Sequence, residues 1–492
     1  MRMNNGKDID EVYDPERWGL PAEAITELGN RLRSCWVRYR RCFRTRTRDG
    51  SAHAWTYLRG LLSMETKRNF VNVAHRVIGP DEDGQNLQQF MSDSPWSAQA
   101  VVQQVQREIA ATPGLGAGGV LLLDESADER AGPASAGAGR QHNGRLGKIE
   151  MSQVGVFLAF FKDVVWTWVD GELFLPEHWF TPEMAKQRER VGVPTERRFA
   201  TKIELGWRMI ERVKANGLPF EAVACDDLYG RSGWLRHEMA TANILYMAEV
   251  PENTQVYLSK PNFGVPPGKV KPAGRKSSRP KVLDAVQPVT VRQIVQLPDT
   301  AFQRFRVRST ERGELDDPFA LRPVWTIRHG QLAQEWLVIR HEYGQRYSYA
   351  LSNAPDNTPL ERLAWLKCVR HFVERANQDA KSEIGWDELE AIKYRAWEHQ
   401  LALTILATWF IAQTKYDWAT THLRDDSLFQ QMELEALPAL SVANVRQLLQ
   451  AVMPLPQLSP EQATHLVVKH LVNRSRSTRS RLRAQRAARS PT

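Results

Sequence analysis

The sequence predicts an α/β protein of several domains: a mixed β-sheet with flanking helices, preceded by an all-α region and interrupted by a β-rich insertion. Three observations lead there. Two short apolar runs, Val120–Leu123 and Phe220–Cys225, each stop at a carboxylate, as buried strands of a sheet can. The elements between and after them alternate strand and helix, which calls for a sheet with helices packed on it. The stretch before residue 112 has helical apolar spacing instead. A chain of 492 residues exceeds one ordinary domain, so two to four are expected.

In chain order, Ala22–Arg44 and Ala52–His75 read as helices, and Ser94-Pro95 before Trp96 reads as a helix cap, giving a helical N-terminal domain over 1–112 that is expected to bind DNA. After the Gly-rich break at 114–119, the first strand runs into Asp124-Glu125-Ser126, and 126–147 reads as a loop. Gln153–Phe161 and Val164–Phe174 form a hairpin turning at Lys162-Asp163. A helix over Thr201–Asn216 is closed by Gly217. The second buried strand then ends at Asp226-Asp227, and helix Gly233–Ala242 and strand Ile244–Val250 follow. This β-β-β-α-β-α-β order is ribonuclease-H-like and occupies 113–254. A β-rich insertion covers 255–358, helix returns from 359 to 455, and a basic tail over 456–492 reads as disordered. Leu401–Gln413 is apolar but too short to span a bilayer, so it is expected in the core.

Composition narrows the function. With 42% hydrophobic and 25% charged residues and 16 Trp, the chain folds, and no apolar run approaches the ~18 residues of a membrane span. The polar start carries no signal or transit pattern, so a cytoplasmic protein with no membrane partner is expected. Four scattered cysteines (Cys35, Cys42, Cys225, Cys368) offer neither a zinc ribbon nor a disulfide framework. A net charge of +9 and pI near 9.4 are concentrated in three places. Arg31 to Arg48 interleaves arginines with Trp36, Tyr39 and Phe43. Lys260 to Lys281 includes Lys269, Lys271, Arg275 and Lys276, and Arg474 to Arg489 is rich in Arg and Ser. Any one such run is as well explained by a solvated face; three around an acidic constellation favour nucleic acid.

In-line attack on a phosphodiester needs one oxygen activated and another stabilised, which two divalent ions roughly 4 Å apart achieve. Hard cations want oxygen ligands, and carboxylates at neighbouring strand ends plus one from a packed helix can converge on them. Asp124 and Asp226 occupy such strand ends; a lone Asp after an apolar run is more often a turn or cap residue. The third carboxylate is sought between Leu360 and Ser382, where Lys367, Arg370, Glu374, Asn377 and Lys381 share one helix face, opposite Val369, Phe372, Val373, Ala376 and Ala380. An ordinary amphipathic helix has the same pattern. Glu383, Glu388, Glu390 and Glu398 are rivals to Glu374, with Glu390 the nearest competitor.

The spacing Arg370, three residues, Glu374, six residues, Lys381 resembles the R-(3)-E-(6)-K part of the Y-R-E-K signature of DDE insertion-sequence transposases, with Lys367 where that signature has its Tyr. Further phrases are similar to family 701 of bacterial insertion sequences. They are Tyr57-Leu58-Arg59-Gly60-Leu61-Leu62, Phe90-Met91-Ser92-Asp93-Ser94-Pro95-Trp96, Leu123-Asp124-Glu125-Ser126, Arg140-Gln141-His142, Gly147-Lys148, Val154-Gly155-Val156 and Leu173-Phe174-Leu175-Pro176 with Trp179. Asp226-Asp227-Leu228-Tyr229-Gly230 resembles that family's D-x-x-Y-G, which selects Asp226 over Asp227. The resemblance covers most of the chain. It implies cut-and-paste transposition: binding of terminal inverted repeats, strand cleavage dependent on two Mg²⁺ or Mn²⁺ ions held by Asp124, Asp226 and Glu374, and joining of 3′ ends to target DNA. Arg370 and Lys381, and by the same argument Arg140 and Lys148, would touch DNA phosphates. Some relatives excise through a DNA hairpin with a Trp stabilising a flipped base, a platform Trp325 or Trp336 could supply. Core packing is the commoner fate of a Trp in a chain that has 16. Pairing two element ends implies a homodimer on DNA. A metal-dependent nuclease of the same fold, a non-catalytic DNA-binding derivative and a helical scaffold are the competing readings; the scaffold would need no carboxylates at strand ends.

Overall fold

A computed structural model describes residues 12–144, 147–266, 279–310, 313–342, 346–433, 437–457 and 459–489. Lys269, Lys271, Arg275 and Lys276 of the second basic run lie outside the described residues. The chain is a mixed α/β protein built on one large mixed sheet with many helices.

The N-terminal part is helical: α1 (Leu28–Tyr39), α2 (Ser51–Ser63), α3 (Phe70–Val77), α4 (Gln85–Ser92) and α5 (Ala98–Ala111). In α1, Leu28, Leu32, Cys35 and Tyr39 fall every third or fourth position and are buried as one stripe. The expected single helix over Ala52–His75 is broken, because Asn69 caps a new one by accepting from the Asn72 amide at 2.9 Å. The cap of α5 is Ser97, not Ser94. Its hydroxyl accepts from Ala100 N, while Trp96 is buried and donates to Phe90 O.

The sheet begins with β1 (Val120–Glu129), β2 (Gly139–Asn143), β3 (Lys148–Lys162) and β4 (Val165–Phe174). Helix α6 (Lys202–Ala215) follows, then β5 (Ala222–Cys225), the single turn α7 (Asp227–Gly230), α8 (Gly233–Thr241) and β6 (Leu245–Val250). The β3–β4 hairpin turns at Asp163, which takes a left-handed φ of 52°. The expected loop over 126–147 is shorter than predicted, since β1 runs on to Glu129, antiparallel to β3, and β2 adds to β3. A run of intermediate burial replaces the apolar signal in this extension, so periodicity does not reveal it.

Past 255, β7 (Gln303–Thr310), β8 (Gly313–Arg328), β9 (Gln331–Glu342) and β10 (Arg346–Ser352) form an antiparallel ribbon. Through β10 it pairs antiparallel with β6, giving the order β7-β8-β9-β10-β6-β5-β1-β3-β2, with β4 also on β3. Alternate residues of the ribbon serve two cores. Phe319, Val338 and Ala350 join the main core, whereas Ala320, Leu337, Ile339 and Leu351 join a smaller one with Val250, Val256, Val291 and Ile294. One buried ion pair ties the ribbon to the parallel strands: Arg236 of α8 reaches Glu335 of β9 at 3.0 Å, and the Tyr246 and Thr326 hydroxyls also donate to Glu335.

Of the C-terminal helices, α9 (Leu360–Val369), α10 (His371–Gln378) and α11 (Tyr394–Thr421) pack against the sheet, α12 (Val442–Val452) packs against α11, α1 and α2, and α13 (Pro460–Arg489) follows. Helix α11 is buried along most of its length, with Leu401–Phe410 packed into the main core, which it shares with α1–α5 and the sheet. The N-terminal helices thus pack into the same core as the strands. No described helix is long and apolar enough to cross a membrane. The basic tail is helical to Arg489, against expectation: Arg, Leu, Ala and Gln all favour helix, a preference that a count of apolar residues ignores.

Candidate active site

Strands β1, β5 and β6 are parallel neighbours, with Leu123 opposite Cys225 and Cys225 opposite Ala248. Asp124 follows Leu123 on β1 and Asp226 follows Cys225 at the end of β5. The two carboxylates therefore emerge side by side on strands about 4.8 Å apart. Asp226 also caps α7, accepting from Leu228 N at 3.1 Å and Tyr229 N at 3.4 Å. That explains the D-x-x-Y-G phrase in physical terms. The turn folds back so that Tyr229 is fully buried and Gly230 lies on β6, where a Cβ would stand 1.9 Å from the Glu249 carbonyl oxygen. Gly230→Ala is expected to push α7 off β6 at a cost of about 1–3 kcal/mol, read as a lower denaturation midpoint. An unchanged midpoint would show that the close approach is not required.

Burial, then the neighbouring Asp226, raises Asp124 to about 8, and burial with Glu125 raises Asp226 to about 6. Asp124 is held at both oxygens: Oδ1 accepts from Glu125 N at 2.8 Å and Oδ2 from Asn377 Nδ2 at 3.4 Å. Trp168 Nε1 donates to Asn377 Oδ1 at 2.9 Å, which fixes the amide with its NH₂ toward Asp124.

The helix face singled out in the sequence is the one that meets the strand ends. Lys367, in the Tyr position of the signature, is buried and pairs with Glu249 of β6 at 3.0 Å. Arg370 stands at the junction of α9 and α10, with Nε 2.9 Å from Glu249 and Nη2 2.9 Å from Glu374. Burial opposes its charge, but Glu249, Glu374, Asp124 and Asp226 together hold it more basic than an ordinary arginine. Glu374 is half exposed, and its carboxylate is engaged by Arg370 and by His371 at 3.7 Å. His371, then Arg370, pulls its pKa down. Among the described residues no three His, Cys, Asp or Glu side chains are gathered as a finished metal cluster. The structure brings Asp124 and Asp226 together and places Glu374 on the helix packed against them, its carboxylate on Arg370.

Lys381 lies in a π-helical turn, Asp379–Glu383, and is committed inside the protein, bonding Asp128 Oδ1 at 2.6 Å and Ala127 O at 2.9 Å. Arg140 and Lys148 stand apart. Lys148 is on β3 nine residues from Phe157, the partner of Asp124, which is about 30 Å along a strand, and it is exposed beside Glu150. Of the rivals to Glu374, Glu383 pairs with Arg446 and Glu388 with Arg68; Glu390 is exposed, and Glu398 is raised to about 7 by burial, against the pull of Arg197 and Arg395. Trp336 packs partly buried against the main core, and Trp325 lies under Lys260. Two groups at the site carried no role in the sequence reading, Asn377 as the partner of Asp124 and Glu249 as the partner of Arg370. Asn377 was on the marked face, and Glu249 sits near the end of its strand as Asp226 does, whereas Asp124 ends an apolar run but lies midway along β1; these signals were present but nonspecific.

The donors fit a hard divalent cation: two half-buried carboxylates side by side, each made a weaker acid by desolvation and neighbouring negative charge, which a cation would relieve.

Two aspartates on adjacent parallel strands stand beside a helix carrying Arg370 and Glu374, and the large mixed sheet with its many helices is consistent with the ribonuclease-H-like fold of DDE enzymes. The sequence model of the DDE superfamily endonucleases matches residues 38–314, more than half of the chain. The chain belongs to that family and is an enzyme of the transposase type. The match includes Asp124 and Asp226 and ends before Glu374. A relative described as the probable transposase for insertion sequence element IS701 of Microchaete diplosiphon is 26% identical over 353 residues, which is 70% of this chain and 78% of that protein. The family handles DNA and is generally metal-dependent, usually on Mg²⁺.

Proposed function

We propose that this transposase cuts DNA at the ends of an insertion sequence and joins the 3′ ends to target DNA, with Asp124, Asp226 and Glu374 as the carboxylates that hold two divalent ions, Mg²⁺ or Mn²⁺. The observation that carries the reading is the pair Asp124, midway along β1, and Asp226, just past the end of the adjacent parallel strand β5, both with raised pKa, beside the helix that bears Glu374. Bound there, the ions would activate the attacking oxygen and stabilise the leaving one.

The chain's own residues do the rest. Asn377 and Glu125 N fix the orientation of Asp124. Arg370, anchored by Glu249, is the cation beside the aspartates and the group best placed for a DNA phosphate. A phosphate arriving there competes with Glu374 for the guanidinium and frees that carboxylate for metal. Lys381, held by Asp128, pins the π-helical turn to β1 and reaches DNA only if that pair opens. Arg140 and Lys148 would meet DNA away from the cut. Two subunits would pair the two element ends, and light scattering of the end-bound complex is expected to give two protomers. A complex of one protomer with both ends would exclude this.

The test is a labelled duplex carrying the native element end, incubated with the protein, Mg²⁺ and a target plasmid. Joined product is expected. Cleavage without any joining would move the assignment to a nuclease of the same fold.

A pH dependence follows from the paired acids. In the metal-free protein Asp124 and Asp226 bind protons up to about pH 8 and 6, whereas in the unfolded chain they release them near pH 4. Their contribution to stability is present below about pH 4 and is lost as pH rises to about 8. Metal must displace these protons, so the rise in Tm on adding Mg²⁺ is expected to grow from pH 6 to pH 8 and to shrink in Asp124→Asn. A Mg²⁺-induced shift equal at pH 6 and pH 8 would contradict the assignment.

A further inference from the structure

The arginine run at 31–48 divides into two groups. Arg31 pairs with Asp417, Arg38 grips Glu108 at 2.7 and 3.0 Å, and Arg44 meets Asp49 at 2.9 Å; these charges are spent within the protein. Arg33 is different. It is exposed, its guanidinium lies 5.5 Å from the ring centre of Trp55, and it has no carboxylate partner among the described residues. Arg59, one turn beyond Trp55 on α2, also has no carboxylate partner among the described residues, and its Nε is buried without an acceptor. Burial and then the positive charge of Arg33 make Arg59 less basic than usual, so the two cations are close enough to repel. Trp55, under Arg33, packs on Trp36 with ring centres 5.4 Å apart, and Arg40, which is 3.7 Å from Asp49, lies 5.8 Å from the centre of the Trp36 ring.

The positions fit one face. Arg33 and Trp36 are three apart on α1, with Arg40 four further on at its C-cap, and Trp55 and Arg59 are four apart on α2. Arginines set on aromatic rings are held in place, so less side-chain freedom is lost when an anion binds. Two adjacent guanidinium groups without a carboxylate between them are stabilised by an acceptor that carries charge and offers several oxygens, which describes a phosphate.

We propose that the face formed by Arg33, Trp55 and Arg59 binds the sugar–phosphate backbone of duplex DNA, whatever its sequence. The inference rests on the reading of this chain as a transposase that holds DNA, and it assigns to that contact a surface on α1 and α2, elements distinct from those that carry the carboxylates. The guanidinium groups of Arg33 and Arg59 would each neutralise a phosphate, and Trp55 would keep Arg33 in position.

The test is fluorescence anisotropy of the full-length protein, without divalent metal, on a 40-bp duplex of arbitrary sequence from 50 to 200 mM salt. Each phosphate contact contributes roughly 0.9 to the slope of log K against log salt. Arg33→Ala and Arg59→Ala are each expected to lower the slope by about 1 and to weaken binding by about tenfold at physiological salt. Arg33→Lys should keep most of the slope, and Arg38→Ala, whose partner is Glu108, should leave it unchanged. Tight binding by Arg33→Ala with the wild-type slope overturns the proposal; because Arg33 is exposed, this variant decides the matter even if Arg59→Ala misfolds. Failure of the wild type to bind any duplex overturns both this inference and the reading on which it rests. Normal binding and slopes of the expected kind in a protein that never joins ends leave this surface assigned and overturn only the proposed strand transfer.

Discussion

Asp124→Ala, Asp226→Ala and Glu374→Ala are each expected to lower strand cleavage by about 10³-fold or more while leaving the affinity for element ends intact or slightly higher. The magnitude follows from the several kcal/mol that a divalent ion supplies to a phosphoryl transition state, each ~1.4 kcal/mol being tenfold in rate. Retained binding follows from charge, since removing a carboxylate near a DNA phosphate reduces repulsion. Gel-shift and cleavage assays on the same preparations separate the two effects. The Glu374 variant is the more informative. In the structure this carboxylate is on Arg370 and His371, and only a metal role predicts that its loss is as severe as that of the aspartates. If Glu374→Ala cuts normally, the third ligand lies elsewhere.

Glu335→Ala is expected to cost about 3–5 kcal/mol of stability, with the urea midpoint falling accordingly. Arg236 and Glu335 are almost wholly buried, and truncating the glutamate leaves a guanidinium in the core without its counter-charge. Tyr246 and Thr326 lose an acceptor as well. Arg236 also donates to Gly230 O, so the damage extends to the turn that positions Asp226. The double replacement Arg236→Met with Glu335→Leu should recover much of the loss, because it removes the unpaired charge. Equal losses in the single and double variants would show that the cost is one of packing and not of charge.

The placement of Asp124 and Asp226 on neighbouring strands was legible because a buried strand writes a continuous apolar run, and both runs end at an aspartate. The hairpin at Asp163 was legible in the same way. The extension of β1 to Glu129 was not, since its side chains are only partly buried and leave no periodic trace. Pairing partners were also hidden: the strands after 303 read as an insertion, and nothing in their alternation says that β10 adds to β6. At the site, the face Lys367, Arg370, Glu374, Asn377, Lys381 could be drawn from helical spacing, but which acid each cation meets depends on strand ends more than a hundred residues away. The arginines at 31–48 looked alike in sequence. Only distant partners such as Asp417 and Glu108 separate those spent within the fold from Arg33.

The most direct test of the central claim is anomalous scattering from Mn²⁺ in crystals of the protein bound to a pre-cut element end. Two peaks are predicted, held among Asp124, Asp226 and Glu374, with Glu374 turned away from Arg370. Peaks coordinated by Glu249 or Glu125 in place of Glu374, or any manganese site that leaves Asp124 and Asp226 without metal, would contradict the account.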